Sequence, residues 1–299
     1  MNQGPNPLPR RVALAGASGT IGQAIAAQLT AEGHVVTALA RTDLADRAQL
    51  AAKLAEAQAD VVISCIASRS GAPRDAEAVD YETNSRLLAA AIAAGAGQFI
   101  LLSAICVQKP ILAFQHAKLK FEAELQASGI AYTIIRPTAF FKSLSGQAKR
   151  VQAGKPFLIF GDGELTRCKP ISDADLARFI TLAIDNPDMA GKILPIGGPG
   201  PAISLKEQGE LLCLVAGREP KFKSVSPRIF TYAERVLNLG APFSGWFAEK
   251  AEYARIARYY ATESMLVLDP ATGSYDADLT PEFGTETLAD HYRRLLASG

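Results

Sequence analysis

The sequence predicts an α/β fold: a doubly wound parallel sheet covered by helices on both faces, followed by a smaller C-terminal α/β lobe. Three observations carry this. Through the first 140 residues, short apolar runs alternate with amphipathic, alanine-rich stretches. The apolar runs (RVALAG, VVISCIAS, FILLSA) lack strict polar alternation, as expected of strands buried on both faces. A glycine-rich turn, GASGTIG, joins the first run to the first amphipathic stretch.

In order, the expected elements are a strand at 11–16, a helix at 20–33 closed by Gly33, and a strand at 34–41. A helix at 43–58, a strand at 59–68, a helix at 76–95 and a strand at 97–104 follow. A helix at 111–129 and a strand at 130–137 complete the nucleotide-binding domain, 11–137. Residues 1–10 read as a disordered leader. Residues 138–299 read mostly as a substrate-binding lobe, parts of which return to the sheet. Within it, 140–154 looks helical, 155–163 a strand and turn, and 172–186 a helix with Ser172 as N-cap. A strand at 192–200, a helix at 204–217, helices within 218–260 and a last helix near 285–297 follow.

Composition narrows the function classes. Apolar residues make up 48% and charged residues 20%, with a net charge of +1 and dispersed basic residues, so nothing points to nucleic acid. The four cysteines lack CxxC spacing, and His34, His116 and His291 do not cluster, so no metal site is expected. The start, MNQGPNPLPRR, has no signal-peptide core and is too short for an Arg-rich transit peptide. The apolar runs fall short of the ~20 residues that span a bilayer.

The glycine turn is the strongest local motif. Gly16 permits the tight turn, Gly19 lets the backbone approach a pyrophosphate, and Gly22 lets helix and strand pack closely. With Ser18, Thr20 and Ile21 they form the expected phosphate loop of a Rossmann-type domain, where the helix start offers free N–H groups. At the end of the second strand stand Arg41 and Thr42. An arginine there suits the 2′-phosphate of NADPH, the expected cofactor, while Asp43 leaves NAD as the competing reading. Cys65, Ala67 and Ser68 end the third strand with small side chains that let a nucleotide cross its tip. Arg69 faces either cofactor or an acidic substrate.

The spacing G-x-x-G-x-x-G resembles the short-chain dehydrogenase/reductase superfamily in its extended or atypical branch. That resemblance implies a Ser–Tyr–Lys constellation. Ser103 and Lys118 stand in place as catalytic candidates, but Phe114 occupies the tyrosine position four before the lysine. A helix-surface lysine paired with Glu122 is the alternative for Lys118. Phenylalanine has no proton to give, which argues against ketone reduction. Reduction of a carbon–carbon double bond conjugated to a large π-system tolerates the loss, because the added charge spreads over many atoms. A protein that binds NADPH for sensing or assembly, without catalysis, tolerates it equally.

Longer stretches, among them FILLSAICVQKPILAFQHAKLKFEAEL, IIRPTAFFKSLSGQ, CKPISDADLA and RYYATESMLVLDP, resemble the NADPH-dependent divinyl chlorophyllide a 8-vinyl reductase family. The resemblance implies reduction of the 8-vinyl group of a tetrapyrrole to ethyl in (bacterio)chlorophyll synthesis. With no plastid transit peptide read at its start, a bacterial, cytoplasmic member peripheral to the inner or photosynthetic membrane is expected. Lys118, Pro137 and Thr138 are then expected beside the nicotinamide. Phe114, Phe140, Phe141, Phe157, Phe160, Tyr259 and Tyr260 are candidates for an apolar pigment cleft. Arg69, Lys142 and Arg258 are candidates for the substrate propionate, and His116 for an axial ligand to its magnesium.

Overall fold

The computed structural model of the chain describes residues 9–242 and 244–297. The expected leader lies outside them except for Pro9 and Arg10, which are exposed. The first domain runs β1 (Arg11–Ala15), α1 (Thr20–Ala31), β2 (Val35–Leu39), α2 (Arg41–Ala45), α3 (Arg47–Ala57) and β3 (Val61–Ser64). Next, α4 (Pro73–Asp75) passes through a π-helical stretch, Ala76–Thr83, into α5 (Asn84–Ala93). Then come β4 (Gln98–Leu102), α6 (Ala113–Ala127) and β5 (Ala131–Pro137). The helix expected at 43–58 breaks at Asp46, whose carboxylate accepts the Gln49 N–H at 2.8 Å and so caps a new helix.

The second half contributes α7 (Ala148–Gln152), β6 (Phe157–Phe160), β7 (Arg167–Cys168), α8 (Asp173–Asp185) and β8 (Lys192–Ile196). After these come β9 (Ile203–Ser204), α9 (Leu205–Val215), β10 (Phe222–Val225), α10 (Arg228–Gly240) and α11 (Gly245–Thr262). Two short strands, Val267–Leu268 and Tyr275–Asp276, precede the last helix, Leu288–Ala297. Ser172 caps α8 as expected, accepting the Asp175 N–H at 3.0 Å. The helix expected at 140–154 is a 3-10 turn, Phe141–Ser145, separated from α7 by Gly146 and Gln147. Strand β10 was not expected. FKSV has little β pattern of its own, and its order comes from parallel pairing with β6.

The main sheet has the order β2-β1-β3-β4-β5-β8, parallel throughout. Helices α3, α5 and α6 bury one face through Leu50, Leu54, Leu87, Phe121 and Leu125. Helices α1 and α8 bury the other through Ile25, Leu29, Leu176 and Ile180. Each such side chain, fully buried, contributes about 1.5–3 kcal/mol. Because α8 and β8 belong to this sheet, the chain leaves the nucleotide-binding domain after residue 137 and returns to it. The lobe keeps its own core around Phe141, Val151, Phe157, Leu212 and Tyr292. Strand order reverses between β1 and β3, which opens a crevice at the carboxyl ends of the strands.

Candidate cofactor and substrate cleft

The crevice holds a cavity of about 440 Å³ lined by Gly16, Gly19, Thr20, Ile21 and Gly22 on one side. The three glycines differ in what forces them. Gly16 has φ +88°, and a Cβ there would stand 2.8 Å from the Cys65 carbonyl oxygen. A Cβ on Gly22 would stand 2.2 Å from the Gly16 oxygen, so only glycine lets α1 approach β1 this closely. Gly19 meets only the Gly16 oxygen, at 3.4 Å, so its missing side chain keeps the cavity mouth open. No side chain caps α1. Its first intrahelical bond is Gln23 N–H to the Gly19 carbonyl, which leaves three N–H groups without a helical acceptor. Lys142 donates to the Thr20 hydroxyl at 2.7 Å and adds positive charge at this helix start. The loop therefore fits a pyrophosphate.

The opposite wall carries Lys118 and Ser103. Lys118 Nζ lies 2.9 Å from the carboxylate of Asp80, which is fully buried and also accepts the Ser68 N–H at 3.3 Å. The second Asp80 oxygen has no hydrogen-bond partner, and the residue lines the cavity. Asp80 sits in the π-helical stretch, a departure common at functional positions. The alternative partner for Lys118, Glu122, is engaged elsewhere: it pairs with Arg136 and accepts the Ser103 hydroxyl at 2.5 Å. Ser103 thus spends its proton inward on a buried ion pair. Sequence reasoning missed Asp80. A signal existed, because Ala76, Asp80, Asn84, Leu87, Leu88 and Ala91 form one buried helical face and an acid on that face requires a partner.

Arg41 opens α2 at the tip of β2, exposed, and does not line the cavity. Its field reaches Asp75. Burial raises the Asp75 carboxyl, but hydrogen bonds from Ser70 and Arg69 and the charge of Arg41 outweigh it, and the net direction is down. The Asp43 carboxylate accepts the Ala40 N–H at 2.8 Å and so is occupied at the start of α2. Ser18 and Thr42 are exposed outside the cavity lining, whereas Cys65, Ala67, Ser68 and Arg69 line it. Burial pushes the Cys65 thiol up to about 12, so it stays protonated.

A second cavity, about 490 Å³ and mostly apolar, lies between the sheet edge and the lobe. Pro137 and Thr138 line this cavity and not the glycine-loop cleft, and the Thr138 hydroxyl is bonded to the Lys169 carbonyl. Ala104, Phe140, Ser143 and Tyr260 line both cavities. Phe160 lines the apolar one, and Phe114 the cofactor side, where it packs against Gly71 and Ile256. Five of the expected pocket aromatics and ligands sit elsewhere. Tyr259 is buried, with its hydroxyl donating to the Cys106 carbonyl at 2.8 Å, because it lies one residue round the helix from Tyr260. Phe141 and Phe157 belong to the lobe core. His116 is exposed and lines neither cavity. Arg258 is turned to Glu234, 3.5 Å away.

Tyr260 is the only tyrosine among the described residues lining either cavity. It stands on α11, far along the chain from Phe114, yet both line the same cleft. The residue as a whole is 47% exposed, so its ring edge meets solvent, while the surroundings of its hydroxyl, with the neighbouring Cys106, raise its phenol above the ordinary value.

Comparison with known proteins bears on the fold and the family. Residues 16–187 match the family model described as NAD(P)H-binding. Among solved structures, the NADPH-dependent quinone oxidoreductase QOR2 of Escherichia coli, complexed with NADPH, superposes with a TM-score of 0.65 at 18% identity, covering 95% of this chain and 99% of that one. That likeness concerns the fold. The chloroplastic divinyl chlorophyllide a 8-vinyl-reductase of Cucumis sativus is 44% identical, covering 98% of this chain and 78% of that protein. Its counterpart in Arabidopsis thaliana is 50% identical, covering 80% of this chain and 59% of that protein. With its nicotinamide-cofactor domain, its apolar second cavity and this extent of identity, the chain belongs to the divinyl chlorophyllide a 8-vinyl-reductase family.

Proposed function

We propose that this chain reduces the 8-vinyl group of 3,8-divinyl chlorophyllide a to an ethyl group, with NADPH as the reductant. The observation that carries the reading is the shared wall: Phe140 and Tyr260 border both the glycine-loop cleft and the apolar cavity, so groups seated in the two abut. Two features support NADPH. Arg41 is free of a close acidic partner among the described residues, and Asp43 is occupied by its own helix start. The α1 N-terminus and Lys142 suit the phosphates, and Lys118, held by Asp80, suits the ribose hydroxyls.

When bound, NADPH supplies a hydride to the terminal vinyl carbon. Opening the double bond sends its electron pair toward the macrocycle, where conjugation spreads the charge, so Phe114 can occupy the usual phenol position without cost. Tyr260 gives its hydroxyl proton to the inner vinyl carbon, and the phenolate recovers a proton from water. The raised phenol keeps this donor neutral. Apolar side chains of the second cavity exclude water from the reacting carbons. The protein acts from the cytoplasm at the surface of the photosynthetic membrane. Among the described residues no helix is long and apolar enough to cross it.

Incubation of the purified protein with NADPH and divinyl chlorophyllide a is expected to yield a product about 2 mass units heavier, the two added hydrogens, with a blue-shifted Soret band. NADPH binding without turnover would instead favour a sensing or assembly role.

A further inference from the structure

The helical hairpin α10–α11 leaves an unusual surface. On α10, Ile229, Tyr232, Val236 and Leu239 recur at spacings of three, four and three residues, one helical face, and all are more than half exposed. Trp246, at the start of α11, is 57% exposed, and Phe247 and Tyr253 are also on the surface. A soluble surface scatters its exposed apolar residues singly, whereas here they form a ridge.

Charge identifies what covers the ridge. Arg228 and Arg235 lie seven residues apart, two helical turns, on the border of the same stripe, and both are exposed. Lys250 stands over the Trp246 and Tyr253 rings, 5.8 and 5.0 Å from their centroids. The single acid of α10, Glu234, is turned away to Arg255 and Arg258. A second copy of the chain would therefore meet the arginine border with no free carboxylate from α10, whereas a layer of lipid phosphates answers it. Apolar stripe, basic border and interfacial tryptophan together are the surface of a helix that lies in a membrane interface.

The other side of the hairpin walls the cleft. Ile256 and Tyr260 of α11 line the cofactor cavity, and Phe230 of α10 packs edge-on against Phe160 of the apolar cavity, 5.6 Å between centroids. We infer that the α10–α11 hairpin docks the protein on an anionic lipid surface, bringing the apolar cavity to the bilayer from which an amphipathic pigment enters. The docking stands on the hairpin alone, while the identity of the cargo rests on the function proposed above.

Trp246 is the only tryptophan in the chain, so its fluorescence reports on this face directly. With vesicles of phosphatidylglycerol and phosphatidylcholine, its emission is expected to shift to the blue and to be quenched by acyl-brominated lipid. The double variant Val236→Glu/Leu239→Glu should lose at least tenfold in vesicle affinity while keeping NADPH affinity and turnover of detergent-dispersed substrate. Arg228→Glu and Arg235→Glu should each weaken binding by about fivefold or more, on anionic vesicles only. No spectral shift and no co-sedimentation with either vesicle would overturn the inference. So would a wild-type dimer that Leu239→Glu converts to monomer without any response to lipid. Vesicle binding needs no substrate, so loss of turnover alone speaks to the reaction and not to the docking.

Discussion

One wall of the cleft is built from the carboxyl tips of the parallel strands and the helix starts that follow them. The other is built from α11 and the loop after β5, which belong to the lobe. On the strand side Lys118 is paired to Asp80, and Ser103 and Arg136 to Glu122. On the lobe side Phe140, Ile256 and Tyr260 offer rings and aliphatic surface, with the Tyr260 and Ser143 hydroxyls at the junction of the cavities and Lys142 turned to the glycine loop. Paired charge thus concentrates on the strand side, and apolar surface on the lobe side. The contrast also separates a rigid part from an adaptable one, since a buried ion pair specifies geometry more tightly than apolar packing does.

The comparison breaks most severely at Glu122. Glu122→Ala leaves Arg136 without its buried partner, and the strand-side wall should lose about 3–5 kcal/mol of stability. A shift of the denaturation midpoint below about 1 kcal/mol would mean the pair is solvated. Lys118→Ala comes next. It should lower kcat/KM for NADPH by about 10²–10³-fold, seen in steady-state kinetics, and unchanged rates would remove the lysine from the site.

Tyr260→Phe tests the lobe side. It should cut kcat by about 10²-fold and leave the NADPH dissociation constant alone. The pH profile sharpens this. Because the surroundings of its hydroxyl raise the phenol, its neutral form survives as pH rises, and kcat should stay level through about pH 10, where a free phenol ionises. A basic limb centred below that value would mean that the hydroxyl is open to water. The smallest effect is expected from Arg41→Ala, about tenfold weaker NADPH binding with NADH unchanged by titration. Equal loss for both would reassign the 2′-phosphate site.

Much of the strand side was legible in advance. The glycine turn, the strand runs and the position of Lys118 follow from patterns within a few residues, and periodicity and turn chemistry act over that range. What escaped was pairing. Lys118 has an acid four residues on, and the i, i+4 rule favours Glu122. That helical neighbour is instead drawn to Arg136, because β5 lies under α6 and the partly buried arginine there meets no other acid in an ion pair among the described residues. Tyr259 and Tyr260 are chemically alike in a sequence, and only the rotation of α11 against α10 and the sheet sends one into the core and the other into the cleft.

The amino-acid order by itself determined the alternation of strand and helix, the glycine turn and the absence of a phenol at position 114, since each depends on local backbone preference or on the residue itself. The tertiary structure alone decided that Asp80 holds Lys118, that α8 and β8 return to the sheet, and that a tyrosine from α11 comes to the cleft where Phe114 stands. Those outcomes depend on which distant surfaces bury each other, and burial is a property of the packed whole that no short window of sequence contains.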